Sequence, residues 1–343
     1  MRVGSNPNNK SRLEGESAFH RVIIPIYIPH ETGYFEQAFD IFTMCLLSLH
    51  RTSRTRLLVA VVANGCSEAI SDRLRELQKD GWIDELTVVK EGIGKINSVL
   101  RSLRTASEPF ITITDADVLF DVGWEDAVFD VFRSFPQAGA VCPVPVFRKN
   151  FDLTANIWLR FLFSSRLRYE KVQDPESMTR FAKSLGWEYL LDRYKDCIAT
   201  LTAANGAKAL VGCSHFVATY RREVFEKLPS GNSEFRIRGN SELLYTDLPV
   251  IKRGGFRLST VHNHAFHVGN QLEDWIVQKF ETLPEITGKR NPDEQFGILP
   301  KPILSGMFLE KVFKRMLGNR RFYRWLLKQK GMTPQQITDH FTD

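Results

Sequence analysis

Phe110-Ile111-Thr112-Ile113-Thr114-Asp115-Ala116-Asp117 decides the reading of this chain. Phe110–Thr114 is a short apolar, β-branched run that ends directly in two carboxylates one residue apart. Runs of this kind mark strands buried on both faces, as in a parallel sheet covered by helices. Three similar runs precede it: Val22–Ile28, Leu57–Val62 closed by the Asn64-Gly65 turn, and Leu86–Val89. Between them lie segments of helical spacing, Phe35 to His50 (through Phe39, Phe42, Leu46 and Leu49), Glu68 to Asp80 stopped by Gly81, and Ile96 to Arg104. The alternation predicts an α/β fold, a mainly parallel sheet flanked by helices. The pattern returns near the other end, where a helix over Pro249–Arg253 stops at Gly254-Gly255 and a strand runs from Phe256 to Val261.

The chain has 343 residues, enough for about two domains or one large domain with an appendage. At 43% hydrophobic and 25% charged it has the composition of a globular protein and excludes collagen-like, coiled-coil and disordered classes. No apolar run approaches the roughly 18 residues of a membrane span, and the polar start MRVGSNPNNK has no secretory apolar stretch. The five cysteines form no C-x-x-C pair, so neither a disulfide framework nor a thiolate zinc site is expected. Together these features predict a cytoplasmic protein.

The net charge of +6 lies wholly in the last 43 residues, where nine Lys and Arg face three acidic residues. The remaining 300 residues balance to zero, which argues against nucleic acid as a partner.

Ligands of open α/β sheets bind beyond the carboxyl ends of the strands. Asp115 and Asp117, where a strand breaks into a loop, can converge on a hard cation, Mn²⁺ or Mg²⁺, that also binds phosphates. The alternative is a solvated Asx-type turn. Gly92-Ile93-Gly94-Lys95 is neither a Walker A loop, since Val89 and Ile96 occupy required positions, nor a dinucleotide fingerprint, since Asn97 replaces its third glycine. Lys95 either reaches a diphosphate from a helix start or is a solvated first-turn lysine. Asp247, before Leu248-Pro249, reads equally as a helix N-cap and as a general base. His262, His264 and His267 raise a zinc reading that lacks an accompanying Glu or H-E-x-x-H.

The order of these parts resembles the GT-A fold glycosyltransferases, in particular the family 2 group. The resemblance rests on Pro25-Ile26-Tyr27, Ala63-Asn64-Gly65-Cys66-Ser67, Gly94-Lys95-Ile96-Asn97 and the D-x-D triplet Asp115-Ala116-Asp117. It continues through Gly212-Cys213-Ser214 with Arg221 or Arg222, Thr246-Asp247-Leu248 to Gly255-Phe256, and His267-Val268-Gly269-Asn270. It covers about Arg21 to Asn270. It implies that Pro25, Tyr27 and Asn64 line the base and ribose of a nucleotide-diphosphate sugar, with Lys95 and Asn97 nearby. Asp115 would contact the ribose or the metal, Asp117 would hold Mn²⁺ or Mg²⁺ on the diphosphate, and His267 would reach the metal or the diphosphate. Asp247 would take the acceptor proton. Two departures stand out: Ala63 replaces a usual aspartate, and no E-D pair precedes Leu248, which leaves Glu242 as a second candidate base.

The implied activity is metal-dependent transfer of a sugar to an acceptor hydroxyl, a saccharide or glycolipid, with inversion, in polysaccharide or glycoconjugate synthesis. Rival readings are a sugar nucleotidyltransferase, though Pro29–Gly33 lacks the basic Gly-rich loop it needs, and a non-catalytic nucleotide-sugar-binding protein. The expected organisation is a polar tail (1–20), a GT-A domain (21–270) with a helical acceptor-side insertion (151–207), and a basic helical extension (271–343). The extension reads either as a cap on the domain or as a peripheral contact with the inner face of a membrane.

Overall fold

A computed structural model describes residues 18–237, 239–289 and 296–342. The tail expected at 1–20 falls largely outside the described residues, and its last residue, His20, instead opens the first strand.

Among the described residues the fold has twelve strands and twelve α-helices. The strands are β1 (His20–Ile26), β2 (Leu57–Asn64), β3 (Glu85–Val89), β4 (Phe110–Thr114), β5 (Val118–Phe120), β6 (Ala138–Cys142), β7 (Leu167–Lys171), β8 (Cys197–Thr202), β9 (Lys208–Val211), β10 (Val217–Arg221), β11 (Phe256–Ser259) and β12 (Ala265–His267). The helices are α1 (Ala38–Thr52), α2 (Glu68–Lys79), α3 (Lys95–Leu103), α4 (Trp124–Ser134), α5 (Ala155–Arg160), α6 (Pro175–Ser184), α7 (Asp192–Asp196), α8 (Leu248–Lys252), α9 (Asp274–Glu281), α10 (Gly306–Leu317), α11 (Arg320–Gln329) and α12 (Pro334–Phe341).

A ten-stranded sheet runs β3-β2-β1-β4-β10-β6-β11-β9-β8-β7. Strands β1 to β4, β6 and β11 share one direction, and β10 runs against them between β4 and β6. The α/β architecture with a mainly parallel sheet is therefore as expected, and β9, β8 and β7 extend it as an antiparallel meander. β4 is buried at all five positions, which is why its sequence shows no alternation. The turn at Ala116-Asp117 then feeds β5, which pairs with β12 in a separate two-stranded sheet.

Between Phe151 and Ala207 the structure corrects the helical expectation. This segment holds β7 and β8, and Trp187 and Tyr189 lie in the loop between α6 and α7. Polar and charged residues on β7, the sheet's last strand, break the apolar pattern by which a strand is recognised in sequence.

The C-terminal helices form a cap. Phe313 of α10 and Leu326 of α11 enter the main core, while Leu327, Met332 and Ile337 build a cluster of their own. Among the described residues no helix is long and apolar enough to cross a membrane.

Beneath the sheet, Glu125 of α4 is buried and accepts hydrogen bonds from the amides of Arg54 and Thr55 and from the Thr55 hydroxyl. His20 Nδ1 lies 2.8 Å from the same carboxylate, and His20 Nε2 lies 2.7 Å from Thr112 Oγ1. Burial alone would raise this carboxyl, but its partners, His20 first, hold it below its ordinary value. Glu125→Ala would strand several buried donors at once. The expected loss is about 3 kcal/mol, read by urea denaturation with an unchanged slope.

Candidate nucleotide-sugar and metal site

The carboxyl ends of β1, β2 and β4 open on a cavity of about 420 Å³. Pro25, Tyr27, Asn64, Lys95, Asp115 and Asp117 all line it, so the structure brings together six residues singled out in the sequence. Tyr27 is exposed and packs edge-on against Phe35, with ring centroids 5.6 Å apart. Tyr34 extends this aromatic wall. Tyr34 and Phe35 were missed in the sequence, although two aromatics just after Gly33, beyond the first strand, are a readable signal.

The opposite wall is the Gly92–Lys95 turn. Asn64 Oδ1 accepts from the amides of Ile93 (2.6 Å) and Gly94 (3.2 Å), so its oxygen shapes the turn. Gly94 adopts φ +90°, and a β-carbon there would lie 2.6 Å from the Arg236 main chain. Only glycine fits this close approach in that conformation. The Arg236 carbonyl in turn accepts from the Lys95 amide at 3.1 Å, and Arg236 and Ile237 close the cavity. Nothing in the sequence marked these two. Asn97 does not line the cavity; its side chain bonds the Ser233 main chain in both directions and the Ile93 carbonyl, which corrects its assignment to nucleotide contact. It anchors the loop that carries Arg236.

Lys95 Nζ lies 2.5 Å from Asp115 Oδ1 and 3.9 Å from Glu242 Oε1. Burial would lower this ammonium, but Asp115, Glu242 and Asp117 outweigh it and raise it, so it stays charged. Asp117 faces His267, with Oδ2 3.5 Å from Nε2, and His267 Nδ1 lies 3.0 Å from Ser184 Oγ. Asp117 Oδ1 is shielded from water and has no hydrogen-bond partner among the described residues. Burial lifts this carboxyl to about 6, with His267 opposing the rise and Asp115 adding to it.

An unpartnered carboxylate oxygen beside a second carboxylate and an imidazole is a donor set that fits Mg²⁺ or Mn²⁺. Among the described residues no three His, Cys, Asp or Glu side chains are gathered into a cage. Mg²⁺ in particular is held by one or two carboxylates together with substrate phosphates, so a full cage is not required.

Asp247 is placed differently from its expectation as a base. Its side chain is only 5% exposed, and Oδ1 lies 2.8 Å from Arg257 Nη2 and 3.3 Å from His215 Nδ1. Arg257, fully buried, also donates to the carbonyls of Asp152 and Cys213. Burial raises the Asp247 carboxyl to about 6 against the pull of Arg257, which leaves it ionised at neutral pH. Burial and the neighbouring Arg257 push His215 down to about 3, so its ring is neutral. Asp247 is thus the counter-ion of a buried guanidinium. Glu242, one turn earlier and 25% exposed, is the carboxylate that faces Lys95. A π-helical turn over Leu243–Asp247 separates the two, and such turns recur at functional sites. Arg221, from the Gly212–Arg222 stretch, lies at the other end of the sheet and donates to the carbonyls of Ala138 and Gly297.

No protein-family model and no curated protein sequence matches the chain. Among solved structures it is similar to the mannosyltransferase PcManGT from Pyrobaculum calidifontis in complex with GDP-Man and Mn²⁺. The identity is 17% and the TM-score 0.37, over 72% of this chain and 55% of that one. It is also similar to S. aureus TarS 1–349 (11% identity, TM-score 0.42, 76% of this chain and 70% of that one) and to the same protein in complex with UDP (12%, 0.41, 72% and 59%). At these TM-scores the functional reading stands on the rim's own geometry.

Asp117 titrates higher in the fold than its ordinary 3.8, so the folded state binds the extra proton and loses stability as pH rises from about 4 through 6. Metal-free Asp117→Asn is therefore expected to melt above the parent protein at pH 8 and to match it at pH 4. Mn²⁺ should raise the melting temperature of the parent at pH 8, lose that effect below pH 6, and leave the variant unmoved.

Proposed function

We propose that the chain is a metal-dependent glycosyltransferase of the GT-A type that moves a sugar from a nucleoside-diphosphate donor to an acceptor hydroxyl. One observation carries this reading: a single cavity joins an aromatic wall, a charged lysine and an acidic pair with an unpartnered buried oxygen. Tyr27 and Phe35 offer the apolar face a nucleoside needs, and Lys95 offers a fixed cation for a diphosphate. Asp117 and Asp115, with His267 beside them, would hold Mn²⁺ or Mg²⁺. A cation bound there supplies Lewis-acid stabilisation of the charge that builds on the departing diphosphate.

The acceptor, a saccharide or glycolipid, attacks the anomeric carbon from the face opposite the diphosphate, which inverts its configuration. Its proton needs a carboxylate with access to the cavity. Glu242 does not line the cavity, but it is part-exposed and lies 3.9 Å from the cavity residue Lys95, which makes it the base we assign, and Asp247 serves as a positioning residue through Arg257 and His215. A base in this role is commonly worth roughly 10² to 10⁴ in rate. The 21–270 segment would be the catalytic domain and 271–343 its cap, in polysaccharide or glycoconjugate synthesis. The five free thiols support a reducing, cytoplasmic setting.

A panel of nucleotide sugars incubated with Mn²⁺ should release nucleoside diphosphate from one donor, with no pyrophosphate. Pyrophosphate formation would indicate a nucleotidyltransferase, and binding without turnover a carrier. Glu242→Gln is expected to lower kcat by about 10² or more while the melting temperature holds. Asp247→Ala is expected to cost about 3 to 5 kcal/mol of stability, because it leaves the Arg257 guanidinium buried without a counter-ion. The reverse pattern would return the base role to Asp247.

A further inference from the structure

At the opposite end of the sheet from the donor cavity lies a second groove, of about 750 Å³. It lies beside the amino ends of β6 and β11, where Phe135–Gln137 and Phe256 line it. Its rim combines two features that a water-facing surface rarely carries together. The first is aliphatic and aromatic exposure. Ile303 is 100% exposed, its neighbour Leu304 is more than half exposed, and Met307 and Phe308 follow at the start of α10. Phe163, 88% exposed, stands two residues beyond the groove residue Phe161 and meets the half-exposed ring of Trp325.

The second feature is unbalanced positive charge. Arg160, Arg166 and Lys301 line the groove without a carboxylate partner among the described residues, and Arg166 donates to the Thr202 carbonyl and lies over the Phe161 ring. Between 159 and 168 and between 296 and 338 the sequence holds a single acidic residue, Glu310. That residue is buried and accepts from the Ala155 amide, so it offers the surface no counter-charge.

We propose that this face docks on an anionic lipid bilayer, with Ile303, Leu304 and Phe163 entering the interface and Arg160, Arg166 and Lys301 among the headgroups. Apolar side chains at loop tips, flanked by cations, gain from both burial and surface charge, with each cation near the surface adding about 1 kcal/mol. A second copy of the chain is a poor occupant, because a two-fold contact would set the same unpaired cations against each other. A polyanion without an apolar phase leaves Ile303 in water. Docking this way turns the donor cavity towards the aqueous side, where a soluble nucleotide sugar has free access. This inference is independent of the activity assigned above.

The test is co-sedimentation of the full chain with vesicles of mixed phosphatidylglycerol and phosphatidylcholine, against vesicles of phosphatidylcholine alone. The parent protein should sediment with the anionic vesicles only, and less so as salt rises. Arg160→Gln with Lys301→Gln should weaken partition by about thirtyfold. Ile303→Asp with Leu304→Asp should abolish it with the protein still folded, since Ile303 is fully exposed and Leu304 more than half exposed. Equal binding to neutral vesicles, no binding to either, or full binding by the Ile303/Leu304 variant would overturn the proposal. So would a salt-insensitive dimer that the same variant dissociates.

Discussion

Two carboxylates one residue apart at the end of a buried strand repel each other, and the rest of the site is arranged around that repulsion. β4 is buried at every position, and Asp115 and Asp117 follow it at the rim, each with only about a quarter of its side chain exposed. Asp115 is answered by Lys95 at 2.5 Å, delivered by the first turn of α3. Asp117 is answered more weakly, by His267 at 3.5 Å, and keeps one oxygen with no partner. The acidic pair is therefore compensated on one side and left short of positive charge on the other. On the proposed reading a divalent cation would offset that shortfall, with a diphosphate supplying its remaining ligands.

Around the pair, apparently separate features serve one geometry. Asn64 shapes the turn that starts α3, Gly94 lets the Arg236 main chain approach it, and Asn97 anchors the loop bearing Arg236. Lys95 is thereby held from both sides of its backbone. β12, paired with β5, sets His267 opposite Asp117 by main-chain register, His267 facing Val118. The position of the charges is thus decided by the ladder and the turns more than by side-chain choice.

Much of this was legible in the residues. The strands β1 to β4 are continuous apolar runs closed by turn residues, and the polar groups at their ends were found because parallel sheets bind ligands there. What escaped has physical causes. β7, at the sheet's far edge, is charged at three of its five positions, and β8 beside it is a buried run interrupted by two threonines. Tyr34 and Phe35 reach the cavity from a short 3-10 turn, Gly33–Phe35, and Arg236 and Ile237 from a loop whose path no periodicity reports. Asp247 before Leu248-Pro249 read equally as an N-cap and as a base, and the base role was what the resemblance implied. Its partner Arg257 stands on β11, where only tertiary structure shows that the two are bonded. Glu242 was named as the second candidate base, on the missing E-D pair before Leu248.

On the proposed reading, cation and diphosphate would bind here as one unit. Calorimetric titration of UDP and GDP into the full chain, with and without Mn²⁺, tests it most directly. The account predicts that Mn²⁺ tightens binding of one of the two by at least about tenfold, that the nucleotide tightens Mn²⁺ by the same factor, and that Asp117→Asn removes both effects. Equal affinities with and without the metal, or coupling that survives in Asp117→Asn, would contradict it.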